Sequence, residues 1–182
     1  VIGLGALGTV SAGLLARAGV GHLRIVDRDV VELTNLQRQV LFDEKDVDLP
    51  KAEAAAAKLL ATNSDIRVEP VAKDVHAANI ESVLEGVDLV VDGADNMELR
   101  FLLNEASIKR GLPWVYGGAI ATNGMAMGIV PGTTACFRCF LPQMPAPGSL
   151  PTCDTAGILN TVSSIVGSLQ AAEAIKLLVG QR

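Results

Sequence analysis

A chain of 182 residues, 49% of them apolar, is long enough for one domain with a substantial core. Its net charge of −5, with no cluster of Lys and Arg, argues against a nucleic-acid partner, and no apolar run approaches the ~20 residues of a membrane span. Three cysteines, two of them spaced C-x-x-C, suit a metal or redox role in a reducing compartment better than a disulfide framework, which points to the cytoplasm.

The chain opens inside an apolar strand, Val1–Leu4, with no initiator Met and no charged leader, and so reads as an excerpt of a longer protein. The loop Gly3-Leu4-Gly5-Ala6-Leu7-Gly8 turns this strand into a helix predicted from about Ala6 to Ala18, which Gly19 is placed to stop as a left-handed cap. A second strand, Leu23–Val26, carries Asp27 at its carboxyl end, nineteen residues (27 − 8) beyond the last glycine of the loop. That spacing fits a mononucleotide-binding βαβ unit, with Gly3, Gly5 and Gly8 at the phosphates and the acid on ribose hydroxyls. A dinucleotide asks for no more. Here Asp29, Asn35, Arg38 and, past a polar segment, Pro50-Lys51 follow. A triphosphate carries more charge than one helix N-terminus offsets, so two added cations make the stretch from Asp27 to Lys51 read as an ATP site. A cation in the first turn of the helix opening at Pro50 opposes the macrodipole by ~0.3–1 kcal/mol. The packing alternative is that Asp48, as N-cap, and Glu53 offset that cost.

The Ala-rich helix is predicted to end near Asn63, followed by a strand over Ile66–Val71 with Glu69 outward and a short amphipathic helix over His76–Leu84. Asp88–Asp92 is apolar enough for a central parallel strand. It runs into Gly93-Ala94-Asp95-Asn96 and a helix to about Arg110; one of Asp95 and Asn96 can cap that helix while the other faces the crevice at the strand ends. Trp114–Tyr116 and Met125–Val130 read as an antiparallel strand pair turning at Thr122-Asn123-Gly124, with Met125 and Met127 in core or edge packing. A loop-like segment, Pro131 to Cys153, leads to a long helix, Ile158–Leu178, with Gln170, Glu173 and Lys176 on one polar side; it is a core helix or a subunit interface. His22 and His76 read as surface or capping residues.

The ordered set Gly3-x-Gly5-x-x-Gly8, Asp27-x-Asp29, Asn35-Leu36-Gln37-Arg38-Gln39, Pro50-Lys51, Asp95-Asn96-x-x-x-Arg100, Cys136-Phe137-Arg138-Cys139, Thr152-Cys153-Asp154-Thr155-Ala156-Gly157 and Ser168–Lys176 resembles the ThiF/MoeB/HesA group of ubiquitin-activating-enzyme-like adenylyltransferases. The resemblance covers essentially the whole chain. It implies an α/β, Rossmann-like ATP-binding domain with a mixed, mostly parallel sheet flanked by helices, with residues 1–182 as one adenylation domain cut at both ends. It implies an enzyme that uses MgATP to adenylate the C-terminal glycine of a small ubiquitin-like sulfur carrier, of the molybdopterin or thiamine type, releasing pyrophosphate. Partners implied are the carrier's Gly-Gly tail, a sulfur donor and a second copy in a homodimer.

In those terms Gly3, Gly5, Gly8, Asp27, Asp29, Asn35 and Asn96 bind nucleotide, Arg38 and Lys51 contact phosphates, and Asp95 holds Mg2+. Cys136 and Cys139 resemble the first half of a structural Zn2+ site; a redox pair is the alternative. Cys153 aligns with a cysteine that in some members forms a persulfide or a covalent link to the carrier, against a plain small residue in a loop. A carboxylate attacking the α-phosphorus is already ionised at neutral pH, so no general base is expected. Two other readings compete: an NAD-dependent oxidoreductase, which leaves Arg38, Lys51 and Asp95 idle, and a non-catalytic partner subunit of an activating enzyme.

Overall fold

Ile2 is the hinge pin of the sheet. In the computed structural model, which describes residues 1–146, 148–149 and 153–181, Ile2 bridges in parallel to both Val26 and Asp92. On one side β1 (His22–Val26) runs parallel to β2 (Arg67–Val71); on the other β3 (Val90–Val91) runs parallel to β4 (Trp114–Ile120), which pairs antiparallel with β5 (Asn123–Ile129). The order is β2-β1-Ile2-β3-β4-β5, parallel except for the last strand, which is the mixed α/β sheet expected.

Alternation along the strands sends successive side chains to opposite faces and so builds two cores. Leu23, Ile25, Val91 and Val115 face α1 (Gly8–Arg17), α2 (Lys51–Thr62) and α7 (Asn160–Leu178). Val26, Val90, Trp114 and Tyr116 face α3 (Ile80–Val83), α4 (Met97–Arg110) and α5 (Phe137–Phe140). Helix α1 stops as expected. Gly19 adopts φ +80°, its N–H reaches the Ala16 carbonyl at 3.1 Å and the Val20 N–H the Leu15 carbonyl at 3.1 Å, the paired bonds of a glycine-closed helix end.

Several local expectations need correction. Asp48 is not a cap: it takes φ +69°, its N–H bonds the Val31 carbonyl, and α2 starts at Lys51 after Pro50 with no side-chain cap. The helix predicted over His76–Leu84 shrinks to Ile80–Val83. Asn79 Oδ1 accepts the His76 N–H at 2.9 Å and its amide donates to the Asp74 carbonyl at 2.7 Å, so side chains take backbone groups a longer helix would use. The hairpin turns at Ala121-Thr122, because Ile120 pairs with Asn123. Gln170, placed by the sequence on the one polar side of α7 with Glu173 and Lys176, is fully buried. Ile165 (61% exposed) and Leu169 (51%) lie on the open side of α7 instead. Within the Pro131–Cys153 segment the short helix α5 forms at the cysteine pair, and α6 (Cys153–Ala156) follows. Thr152 lies outside the described residues, as does the side chain of Cys153.

Candidate active site

The glycines of the first loop are not equivalent. A Cβ at Gly3 (φ +89°) would fall 2.5 Å from the Gly93 backbone, one at Gly8 would fall 1.9 Å from the Gly3 carbonyl oxygen, and one at Gly93 would fall 2.3 Å from that same oxygen. These three are fixed by the approach of the loop after β3 to the loop before α1. Gly5 differs: its Cβ would meet nothing nearer than the Gly93 oxygen at 3.9 Å. The protein has room for a side chain there, and leaving it out keeps the backbone open to a ligand beside the α1 N-terminus.

Asp27 ties β1 to this loop. Its Oδ2 accepts the Leu4 N–H at 2.6 Å and its Oδ1 the Asp29 N–H at 2.8 Å. Each oxygen of an ionised carboxylate has a further lone pair, so ribose hydroxyls can still be accepted. Asp29 in turn holds Lys51. The Lys51 ammonium lies 3.2 Å from Asp29 Oδ2, and the Lys51 N–H donates to the Asp29 carbonyl at 2.9 Å. The lysine side chain is only 7% exposed while the Asp29 side chain is 55% exposed. A pair with one wet partner is weak and exchangeable, worth ~0–1 kcal/mol. The ammonium is thus positioned at the strand ends without being committed to Asp29.

Arg38 and Asn35 sit on the adjoining segment. Arg38 donates to the Thr34 carbonyl at 3.2 Å, and buried Asn35 accepts the Glu32 N–H at 3.3 Å in closing the single turn Leu33–Asn35. Among the described residues no hydrogen bond or ion pair joins either to the glycine loop, Asp27, Asp29 or Lys51. Asn160 anchors the segment to α7 by donating to the Gln37 carbonyl at 3.0 Å.

At the end of β3 the two candidate roles separate. Asn96 caps α4, its Oδ1 accepting the Leu99 N–H at 2.9 Å. Asp95 is exposed and, among the described residues, its hydrogen bonding is limited to the Asn96 amide at 3.3 Å, so its oxygens keep the acceptor capacity that a hard cation such as Mg2+ requires.

Beneath them lies a pair that sequence reasoning left without a role. Arg100 Nε donates to Asp92 Oδ2 at 3.0 Å, and its Nη2 donates to the Ala94 carbonyl at 2.6 Å and the Gly117 carbonyl at 3.0 Å. Burial pushes the Asp92 carboxyl up from the usual range, while the Arg100 guanidinium and the Ala94 and Gly117 N–H groups pull it back. From the other face Gln170 Nε2 donates to the Asp92 carbonyl at 2.6 Å and to the Val115 carbonyl at 3.3 Å. The loop carrying Asp95 is therefore clamped from both sides of the sheet. An acid closing the most apolar strand, with an arginine eight residues later (100 − 92), was the signal available for it.

Cys136 and Cys139 flank the start of α5 with their sulfurs 3.7 Å apart. That is far beyond the ~2.05 Å of a disulfide and close to the ~3.8 Å edge of a tetrahedron built on Zn–S bonds of ~2.3 Å. Burial works to raise the Cys136 thiol, but hydrogen bonds from Cys139, the Arg138 backbone and the Asn104 side chain outweigh it and hold the thiol below its ordinary value. Two vertices of a zinc site fit; no group of three ligating side chains exists among the described residues.

A cavity of about 440 Å³ lies at the opposite, amino ends of the strands, lined by Val1, Leu15, Gly19, Leu84, Val90 and Ile175 among others. None of the candidate site residues lines it; Gly5, Asp27, Asp29, Lys51 and Asp95 lie at the carboxyl ends instead.

The ThiF family model matches residues 1–182. The chain is 45% identical over 183 residues to the sulfur carrier protein ThiS adenylyltransferase of Bacillus subtilis, covering 100% of this chain and 54% of that protein. It is 45% identical over 181 residues to the SAMP-activating enzyme E1 of Haloferax volcanii, covering 100% of this chain and 67% of that protein. Among solved structures it is similar to E. coli MccB with ATP, at a TM-score of 0.86 and 27% identity over 100% of this chain and 56% of the other. The chain spans about half the length of the Bacillus relative and of MccB.

Proposed function

This chain belongs to the ThiF family across residues 1–182, and from that premise we propose that it is one adenylation domain that activates the C-terminal glycine carboxylate of a ubiquitin-like sulfur carrier with ATP. The relatives named for the ThiS and SAMP carriers support the substrate class. The observation that carries the reading is Lys51: a nearly buried ammonium in the first turn of α2, against the macrodipole, paired only with a half-exposed acid. A polyanion at the strand ends supplies what the fold itself does not.

In this reading Gly5 opens backbone amides to the phosphates and Asp27 accepts from the ribose. Lys51 leaves Asp29 for the phosphates, joined by Arg38 and Asn35 from the neighbouring segment. The carrier carboxylate attacks the α-phosphorus, the bond to the β-phosphate bridge oxygen breaks, and pyrophosphate leaves. No proton need be removed from the nucleophile. Mg2+, when bound, neutralises phosphate charge as it develops; Asp95 is the residue that holds it. The Asp92–Arg100 pair and the Asn96 cap keep the Asp95 loop in place. Cys153, on α6, is the thiol for later transfer of the activated carboxyl, with a sulfur donor as the further partner. Cys136 and Cys139 supply half of a structural zinc site.

We place the protein in the cytoplasm as a homodimer. No helix among the described residues is long and apolar enough to cross a membrane, and the exposed Ile165 and Leu169 of α7 offer a face for a second copy. Sedimentation of the full-length protein at micromolar concentration checks this, a monomer being the contrary result. A nicotinamide reaction leaves Lys51 and Asp95 without employment. Exchange of labelled pyrophosphate into ATP, dependent on a carrier ending in Gly-Gly, tests the proposal; carrier-independent silence together with thermal stabilisation by NAD but not MgATP would refute it.

A further inference from the structure

Asn104 lies in the middle of α4, fully buried, nine residues (104 − 95) beyond Asp95. Its Oδ1 accepts the N–H of Phe137 at 2.8 Å, a bond spanning 33 residues and closed off from solvent. That fixes which end of the amide is which: oxygen on the Phe137 backbone, nitrogen on the other side. The Nδ2 group makes no hydrogen bond of ordinary geometry and is sealed from water, although the side chain lies near enough to Cys136 to help hold its thiol down. A fully buried amide with an idle donor is an uncommon arrangement, because a lost donor costs more than a formed bond returns.

The peptide bond that Asn104 grips is the one joining Phe137 to Cys136. The Asn104 side chain also acts on the Cys136 thiol directly, and with Oδ1 taken by the Phe137 N–H the group left to do so is Nδ2. Neutral thiols are weak acceptors; a metal-bound thiolate is a strong one. The two sulfurs already stand at the separation of a tetrahedral edge. The grip is reinforced around it. Phe137 stacks edge-on against Phe101 at 5.4 Å, the Arg138 guanidinium lies 4.8 Å over the Phe101 ring, and Arg138 pairs with Glu105, all on α4.

We propose that Asn104 is a positioning residue of the cysteine metal site: Oδ1 holds the knuckle by the Phe137 amide, and Nδ2 donates to the Cys136 sulfur once that sulfur is a metal thiolate. The helix that presents Asp95 is thereby also the helix that seats the metal knuckle. The proposal rests on the reading of Cys136 and Cys139 as a zinc half site, and the experiment separates the two.

Asn104→Asp in the full-length protein keeps an acceptor for the Phe137 N–H and removes the donor. Zinc affinity by chelator competition, measured on folded protein, should fall about 10–100-fold, the range typical of lost outer-shell partners, and the buried carboxyl group should also lower the metal-free melting temperature. With Co2+ in place of zinc, the sulfur-to-metal charge-transfer band should move to longer wavelength, since a thiolate relieved of its hydrogen bond is easier to oxidise. A second measurement needs no variant: in the unmutated protein loaded with 113Cd2+, the Asn104 side-chain amide protons should show scalar coupling to the metal through the N–H···S bond. Parent-like zinc affinity in Asn104→Asp, or a cadmium-loaded protein without that coupling, would overturn the role of Asn104 and leave the metal site standing. A full-length protein that binds neither zinc nor cadmium would overturn both. Should Asn104→Asp fail to fold, the cadmium coupling alone decides.

Discussion

The two ends of the parallel strands differ in kind. The amino ends border a cavity of about 440 Å³ lined by glycines, aliphatic side chains and the polar His22, Arg24 and Asp88. The carboxyl ends carry more chemistry: an open glycine, two acids bonded to backbone amides or a lysine, and an exposed carboxylate on a clamped loop. Charge that the fold leaves only loosely compensated marks the ligand end, because such charge costs stability unless a ligand completes it.

The sharpest way to break this contrast is to attack the clamp under the carboxyl end. Arg100→Leu leaves Asp92 buried and unpaired, and should destabilise the protein by about 3–5 kcal/mol in denaturant unfolding; a loss under ~1 kcal/mol would mean the pair is incidental. Next in size, Lys51→Ala should lower pyrophosphate exchange by ~10²–10³-fold, about 2.7–4 kcal/mol of transition-state stabilisation. Its effect on unfolding should be small, since its partner Asp29 is half in water.

A finer test divides adjacent residues. Asn96→Ala should cost ~1 kcal/mol of stability through the lost cap, whereas Asp95→Asn should keep the melting temperature within a few degrees and lose most exchange, recovering in part at raised Mg2+. Reversal of these two outcomes would make Asp95 the structural residue. The smallest effect belongs near the amino ends, where Glu81 is held below the usual glutamate range by hydrogen bonds from Lys109 and then Arg110. A lowered folded value means its stabilising contribution is present above the unfolded glutamate pKa of ~4.3 and fades as pH falls through the folded value. Glu81→Gln should flatten that acid-side slope in melting temperature and leave exchange untouched.

How far these contrasts could be read from sequence follows from their physical range. The glycine loop, Asp27 and Lys51 are set by spacing along one βαβ unit, and the strand and helix periods around them are local signals. Gln170 was grouped with Glu173 and Lys176 on one polar side because sequence shows only its polarity; only the packing of α7 over the sheet shows its amide donating to the Asp92 and Val115 carbonyls. Asp92 and Arg100 were marked only by an acid closing the most apolar strand and an arginine eight residues later (100 − 92), a spacing that does not by itself say the two are paired and buried. Asp48 failed as a cap because α2 begins at Lys51 directly after Pro50, while Asp48 is held at φ +69° with its N–H on the Val31 carbonyl, seventeen residues back (48 − 31), a long-range bond that no capping rule anticipates. Arg38 remains tied to its own turn through Thr34.

One measurement reaches the central claim directly. Full-length protein, MgATP and a carrier ending in Gly-Gly are mixed, quenched, and the carrier weighed by mass spectrometry beside a Lys51→Ala control. The predicted result is a carrier heavier by one AMP, attached at its terminal carboxyl, with pyrophosphate released and the product all but absent from the control. A carrier of unchanged mass with the parent protein, or equal adenylate from Lys51→Ala, would contradict the assignment of this chemistry to the carboxyl ends of the strands.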